Sequence, residues 1–370
     1  MTPFTLAQSG RDNNFNLIRF LAALAVIVSH ATLLSTGNGK IEPLRQATGY
    51  ALGDHAVNVF FVLSGFLVAK SLLTRRDLIA YATARMTRVL PGLFVAALVT
   101  AFIIGPIATT MSLTEYFSSV RVWAYAPLVS ALAPDPLNIT LPGVFTTTPF
   151  PDIVNGPLWT IRYEVMAYVA LLLLALVGVF ATKIRFIAFF IVATFALLTW
   201  QVVDPFHTGP TALDHLARLG FSFLLGTAAY RLADHLRLSF LVVVLLAIIT
   251  WLLADTPFYR GVLYVFTAAA VLWFAQTPAG PIRKFNLLGD YSYGLYIYGW
   301  PVAQALITQN PDLSPTMLLL LGAPVSLGLA VLSWHLVEKP LLARRLAFAG
   351  LINKLIPDIA LFRFLKTRLN

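Results

Sequence analysis

Two ionisable residues, Arg19 and His30, stand eleven positions apart inside the first long apolar run. A helix turns about 100° per residue, so eleven steps leave a remainder of about 20° and put both side chains on one face. The rise between them is about 16 Å, about half of a bilayer's hydrocarbon core. An imidazole titrates close to working pH, which suits a general base. The bland alternative is an Arg19 that snorkels to lipid headgroups and a His30 that bonds a neighbouring helix. Glu164 lies about two turns into another apolar run, in Leu158-Trp159-Thr160-Ile161-Arg162-Tyr163-Glu164. A carboxylate at that depth needs a partner or a cavity. Arg162 is two residues away and points elsewhere, so His30 is the expected partner, oriented as a base by the carboxylate.

Arg85 and Arg88 share a helix face at i, i+3 and have the fork geometry that clamps phosphates; a topogenic cluster touching lipid phosphate accounts for them equally. Arg75 and Arg76 read as topogenic. Ser64-Gly65-Phe66 inside the second run fits close helix packing, or a narrow lining for a slender ligand arm. Glu338-Lys339-Pro340 closes the last run, where a helix-terminal salt bridge would explain the acid. Cysteine is absent, and the histidines outside the runs (His55, His207, His215, His235) have no metal-ligand spacing. No metal site is expected.

These groups have to be positioned by elements that live in lipid. The 370 residues are 58% hydrophobic and 11% charged, with a mean hydropathy of +0.79. Soluble domains carry about a quarter of their residues charged, so a water-soluble enzyme and a disordered chain are both excluded. The net charge of +10 sits in short gaps between apolar runs, which reads as topology rather than as a nucleic-acid face. The first run carries Arg19 and His30 and lacks a cleavage site, so it does not read as a signal peptide.

The expected fold is an all-α polytopic membrane protein of about ten transmembrane helices, over roughly 15–34, 56–73, 88–109, 157–180, 184–203, 216–233, 237–254, 260–276, 286–308 and 316–337. Every second connection is basic, which predicts both termini in the cytoplasm. Gly299-Trp300-Pro301 predicts a kink or break in the ninth helix. The extracytoplasmic loop 110–156 is rich in proline and aromatics without obvious secondary structure, as binding loops often are. The membrane domain is expected over 1–345 and a basic cytoplasmic tail over 346–370. No inverted repeat is visible, which weighs slightly against a secondary transporter.

In this order the motifs resemble acyltransferase family 3, membrane-bound O-acyltransferases of bacterial surface polysaccharides and related acceptors. The arginine-x10-histidine signature falls on Arg19 and His30, the serine-glycine-phenylalanine element on Ser64-Gly65-Phe66, and arginine-x-x-arginine on Arg85 and Arg88. Leu141-Pro142-Gly143-Val144-Phe145 and Val154-Asn155-Gly156-Pro157-Leu158-Trp159-Thr160 resemble an acceptor-side stretch. Tyr291-Ser292-Tyr293-Gly294-Leu295-Tyr296 and Glu338-Lys339-Pro340 complete the series. Two positions depart from the pattern: Asn58 stands where many members are acidic, and no histidine accompanies Gly299-Trp300-Pro301.

The resemblance implies a bacterial plasma-membrane enzyme with no resident cofactor, taking acyl-CoA (acetyl-CoA by default) from the cytoplasm and a carbohydrate hydroxyl as acceptor. His30 and Glu164 would be catalytic. Arg85 and Arg88 would hold the nucleotide end of the donor, Arg19 and Ser64 would line the path of its arm, and Asn155 and Trp159 would lie on the acceptor side. An acyl-histidine intermediate is the minority alternative to direct transfer. A transporter or flippase for a lipid-linked or anionic substrate is the rival reading, and a scaffold would leave the intramembrane charges unexplained.

Overall fold

Apolar runs of this length leave the backbone no choice but to satisfy its own hydrogen bonds, and helices occupy all ten predicted stretches. The structure, a computed structural model, describes residues 12–75, 77–132, 139–203, 211–277 and 279–355. The main helices are α1 (Phe15–Thr36), α2 (Leu52–Arg75), α3 (Leu78–Val99), α4 (Val120–Ser130), α5 (Leu158–Leu176), α6 (Lys183–Val203), α7 (Ala212–Arg231), α8 (Phe240–Leu252), α9 (Tyr259–Gln276), α10 (Ser292–Gln309), α11 (Pro315–Ser333) and α12 (Arg345–Leu355). No strand occurs among the described residues; an isolated bridge pairs Thr109 with Val144.

Among the described residues, six segments are long and apolar enough to cross a membrane: Phe15–Thr36, Leu52–Arg75, Leu78–Ala108, Leu158–Leu176, Lys183–Val202 and Pro315–Ala343. The chain is thus a multi-pass helical membrane protein with about six clear spans where the sequence predicts ten. Three of the four stretches that fall short, α7, α8 and α10, do so for physical reasons. α8 has only 13 residues. α7 carries Asp214, His215 and Arg218, and α10 carries four tyrosines or tryptophans and Gln304 among residues buried almost throughout. Helices surrounded by other helices are not under the same pressure to be apolar.

The tightest crossing is that of α2 on α7. A Cβ built on Gly65 would sit 1.9 Å from the Phe223 carbonyl oxygen, and one on Gly226 would sit 2.0 Å from that of Val62. Each helix therefore uses a missing side chain to admit the other's backbone. Thr227 Oγ1 donates to the Gly65 carbonyl at 3.3 Å. The close-packing reading of Ser64-Gly65-Phe66 thus describes Gly65. A second group of helices, α1, α10 and α11, meets around Ala23, Ile27, Leu295 and Ala330.

Where the sequence predicts a kink or a break, α10 is one continuous helix through Pro301. Proline removes one backbone donor, which would orphan the Ile297 carbonyl. Asn155 Nδ2 donates to that oxygen at 2.9 Å and replaces the missing bond. The described parts of the 110–156 connection, 110–132 and 139–156, are also more ordered than their composition suggests. Ser112 and Glu115 form a capping box that starts a short helix, Leu113–Ser118, and α4 follows. Tyr116 donates to the Ala101 carbonyl within the π-helical stretch Thr100–Ile104 that extends α3.

After α11 the chain passes through a second π-helical segment, Trp334–Glu338, and a short helix, Lys339–Ala343. α12 then lies back on the start of α3, Ala349 and Ile352 packing on Ile79 and Ala80. Positions 356–370 of the predicted tail lie outside the described residues.

The α2–α7 contact yields a direct test. Gly65→Ala should lower the thermal stability of the detergent-solubilised protein by about 1–3 kcal/mol, since overpacking against a backbone oxygen outweighs any gain in helix propensity. Gly328→Ala on α11, where nothing lies within 4 Å, should leave the melting temperature unchanged or slightly raised.

Candidate active site

A cavity of about 360 Å³ opens among α1, α2, α3, α5 and the start of α10. Of the eight residues that the sequence singles out, five line it: Arg19, Ser64, Arg85, Arg88 and Glu164. His30, Asn155 and Trp159 do not.

The middle of the cavity is an ion cluster. Asp290, just ahead of α10, accepts from Arg19 Nη1 at 2.6 Å and from Arg88 Nη2 at 2.8 Å, both on the same carboxylate oxygen. Ser292 Oγ donates to its other oxygen at 2.5 Å. Arg88 also pairs through Nη1 with Glu338 at 3.4 Å and lies over the Tyr293 ring, 5.5 Å from its centroid. Ser333 Oγ donates to Glu338 at 3.1 Å. Two guanidinium groups thus meet two carboxylates, with Glu338 only 1% exposed. The charges balance, which is how such groups persist away from water. Glu338 serves a salt bridge between helices, not one at its own helix terminus.

On another wall, Glu164 accepts from Tyr168 and, at 3.3 Å, from Ser64 Oγ. Tyr168 sits one helical turn along α5, so the carboxylate and phenol meet by i, i+4 spacing. Its hydroxyl also lies 3.1 Å from Ser64 Oγ, and Arg85 stacks over its ring at 5.7 Å. The far end is walled by Phe60 and Tyr296, edge to face at 5.8 Å. Tyr296 is fixed there by hydrogen bonds to Thr160 Oγ1 at 2.5 Å and the Pro157 carbonyl at 3.2 Å.

His30 lies beyond that wall. Its ring packs edge-on against Trp300 at 5.0 Å, and Trp300 is one turn past Tyr296 on α10. The expected hydrogen bond between Glu164 and His30 is therefore not formed; Ser64 and Tyr168 take the carboxylate instead. The reason is depth. α5 presents Glu164 below the Phe60–Tyr296 pair, whereas α1 carries His30 above it. Arg19 and His30 do share one stripe of α1, with the cavity meeting only its lower end.

Around Trp300 the connection before α5 is laced to α10. Trp300 Nε1 donates to the Ile153 carbonyl at 3.0 Å, and Gln304 Nε2 donates to that of Phe150 at 2.9 Å. A Cβ on Gly156 would press on the indole at 3.0 Å. Asn155 belongs to the same lacing, buried on the Ile297 carbonyl. Trp159 stands apart, half-buried, its ring 4.3 Å from that of His215 and 5.7 Å from that of Tyr163. Nearby, Arg218 pairs with Asp54 at 2.9 Å, and Arg45 takes the other oxygen at 3.1 Å. No group of three potential metal ligands occurs among the described residues.

Asp290 is the main residue that sequence reasoning missed. Its signal was present: it falls inside the predicted ninth stretch and directly precedes the Tyr291-Ser292-Tyr293 motif. Tyr168, Tyr293 and Tyr296 were missed because tyrosine in an apolar run passes for core. Asp290→Asn should leave Arg19 without its carboxylate and Arg88 with Glu338 alone, at a cost of about 3–5 kcal/mol. A correspondingly lowered melting temperature in detergent, well below that of Glu164→Gln, checks this.

Comparison with known proteins places this geometry. The family described as an acyltransferase domain matches residues 12–335. An O-acetyl transferase of Shigella phage Sf6 is 31% identical over 349 residues, covering 90% of this chain and 97% of that protein. Nodulation protein 10 of Rhizobium leguminosarum bv. viciae is 28% identical over 401 residues, covering 94% of this chain and all of that protein. No solved structure matches. With a family model matched over nearly the whole chain and five of the eight singled-out residues on one charged cavity, the chain belongs to acyltransferase family 3 and is an integral-membrane acyltransferase.

Proposed function

We propose that the protein transfers an acyl group, acetyl in the default case, from cytoplasmic acyl-CoA to a sugar hydroxyl of a surface or lipid-linked polysaccharide. The observation that carries this reading is the cavity: arginines gather at its basic end, and apolar and hydroxylic walls lead inward past Arg19 and Ser64 to the Phe60–Tyr296 pair, beyond which His30 lies. Coenzyme A has a polyanionic nucleotide that cannot enter lipid and a thin pantetheine arm that can follow such a path. Arg85 meets the nucleotide end, and the arm runs past Arg19 and Ser64. Arg88, already bonded to Asp290 and Glu338, holds the shape of the mouth.

His30 is the general base in this scheme. Neutral imidazole takes the proton of the acceptor hydroxyl as its oxygen attacks the thioester carbonyl. Collapse of the tetrahedral adduct breaks the carbon–sulfur bond, and the thiolate of coenzyme A leaves with that proton. Glu164, fixed on Ser64 and Tyr168, keeps the wall beside the thioester in place. For donor and acceptor to meet, the Phe60–Tyr296 pair has to part, and the acceptor arrives from the side of Trp159 and the 110–156 connection. Residence in a bacterial plasma membrane, with ten crossings and both termini cytoplasmic, completes the proposal; the alternation of basic connections supports it.

The decisive measurement is transfer of label from acetyl-CoA to polysaccharide acceptor by the purified protein in detergent, where a transporter has nothing to transport. His30→Ala should retain no more than a few per cent of wild-type activity with an unchanged melting temperature; substantial residual transfer would remove His30 from the chemistry. Topology is testable in the same cysteine-free chain. A membrane-impermeant maleimide added to intact cells should label Asp255→Cys and spare Asp234→Cys, and the reverse pattern would invert the orientation.

A further inference from the structure

The mouth of the cavity holds more positive charge than its ion cluster uses. Five arginines line the cavity, and Asp290 and Glu338 engage two of them, Arg19 and Arg88. Arg75, Arg85 and Arg345 also line it, and among the described residues none of the three has a carboxylate partner. They come from three separate elements: Arg75 from the last turn of α2, Arg85 from α3, and Arg345 from the first turn of α12. Arg345 donates to the Leu342 carbonyl at 2.8 Å, which fixes its side chain beside the mouth, and Arg85 Nε is buried without a hydrogen-bond partner.

A positive-inside signal needs basic residues on the correct side of the membrane, but it does not need them to converge. Convergence of like charges on one half-enclosed space is unfavourable unless an anion sits among them. The apolar contact of Ala349 and Ile352 with Ile79 and Ala80 is what brings α12, and with it Arg345, to this place. We propose that Arg75 and Arg345 are anion-binding residues which, with Arg85, hold the phosphates of the donor's nucleotide, so that α12 is a functional wall of the donor site. The inference rests on the acyl-CoA reading above and extends it to two residues whose sequence positions look merely topogenic.

Donor kinetics with the full-length enzyme provide the test. Arg345→Gln and Arg75→Gln should each raise the KM for acetyl-CoA roughly 10-fold or more, as expected for loss of a charge-assisted contact, while kcat stays within about 2-fold. Lysine at either position should restore part of the loss. Acetyl-3′-dephospho-CoA should be a poorer donor for the wild type, and the variant that has lost the 3′-phosphate contact should no longer distinguish the two donors. A melting shift induced by free coenzyme A, reduced in both glutamine variants, gives a readout independent of turnover. Wild-type activity with donor KM and coenzyme A shift unmoved in both variants would overturn the proposal and leave the acyl-CoA reading standing. A defect that follows the anionic-lipid content of nanodiscs, with donor KM unmoved, would assign the arginines to lipid phosphate and overturn it too. A wild type that takes no acyl group from acetyl-CoA would instead sink the underlying reading.

Discussion

One carboxylate oxygen holds the structure to its purpose. Asp290 receives two guanidinium groups on the same atom, Arg19 from α1 and Arg88 from α3, at 2.6 and 2.8 Å. Charges buried in a membrane protein are tolerated only when matched, and here the match also decides which helices meet. Glu338 adds the end of the α11 segment to the same cluster. Two helices and the ends of two others are thereby locked around a cavity whose other walls are apolar and hydroxylic, with Glu164 and three more arginines on them.

That lock has a consequence for how the arginines divide their work. Arg88 has two carboxylates and an aromatic face, so little of its charge is left for a ligand. The cations that remain stand at the mouth, from α2, α3 and α12. The cluster builds the site, and the arginines outside it face whatever enters. A substitution in the first group is felt throughout the bundle, whereas one in the second changes only what the mouth attracts.

The opposite half of the bundle is organised by a backbone problem. Pro301 leaves a carbonyl without its helical donor, and Asn155 supplies one from the connection before α5. Trp300 and Gln304 extend the same lacing. An aromatic and amide seam thus fastens the 150–156 segment to α10 where His30 packs. The cavity end and the histidine environment are consecutive turns of one helix, separated by Tyr296 and its partner Phe60. Any reaction that joins them depends on that pair.

Much of this was legible from residue order alone. Helices in all ten apolar stretches and the shared face of Arg19 and His30 follow from local periodicity and spacing, which a chain in lipid has to obey; the ordered motifs were legible as a resemblance to a known family. Gly65 was legible as a close-packing residue on the same grounds. What the sequence could not decide is which buried charges meet, because pairing depends on contacts between residues up to 271 positions apart. Periodicity assigns Glu164 a depth and puts Tyr168 one turn away on the same helix, but only the packing of α5 on α2 gives it Ser64 in place of His30. Hydropathy likewise counts ten runs, yet α7 and α10 are sheltered by neighbouring helices, so their polarity can be explained only by what surrounds them. Arg345 shows the limit most plainly: in sequence it is one basic residue among many near a terminus, and it reaches the cavity only because α12 folds back onto α3.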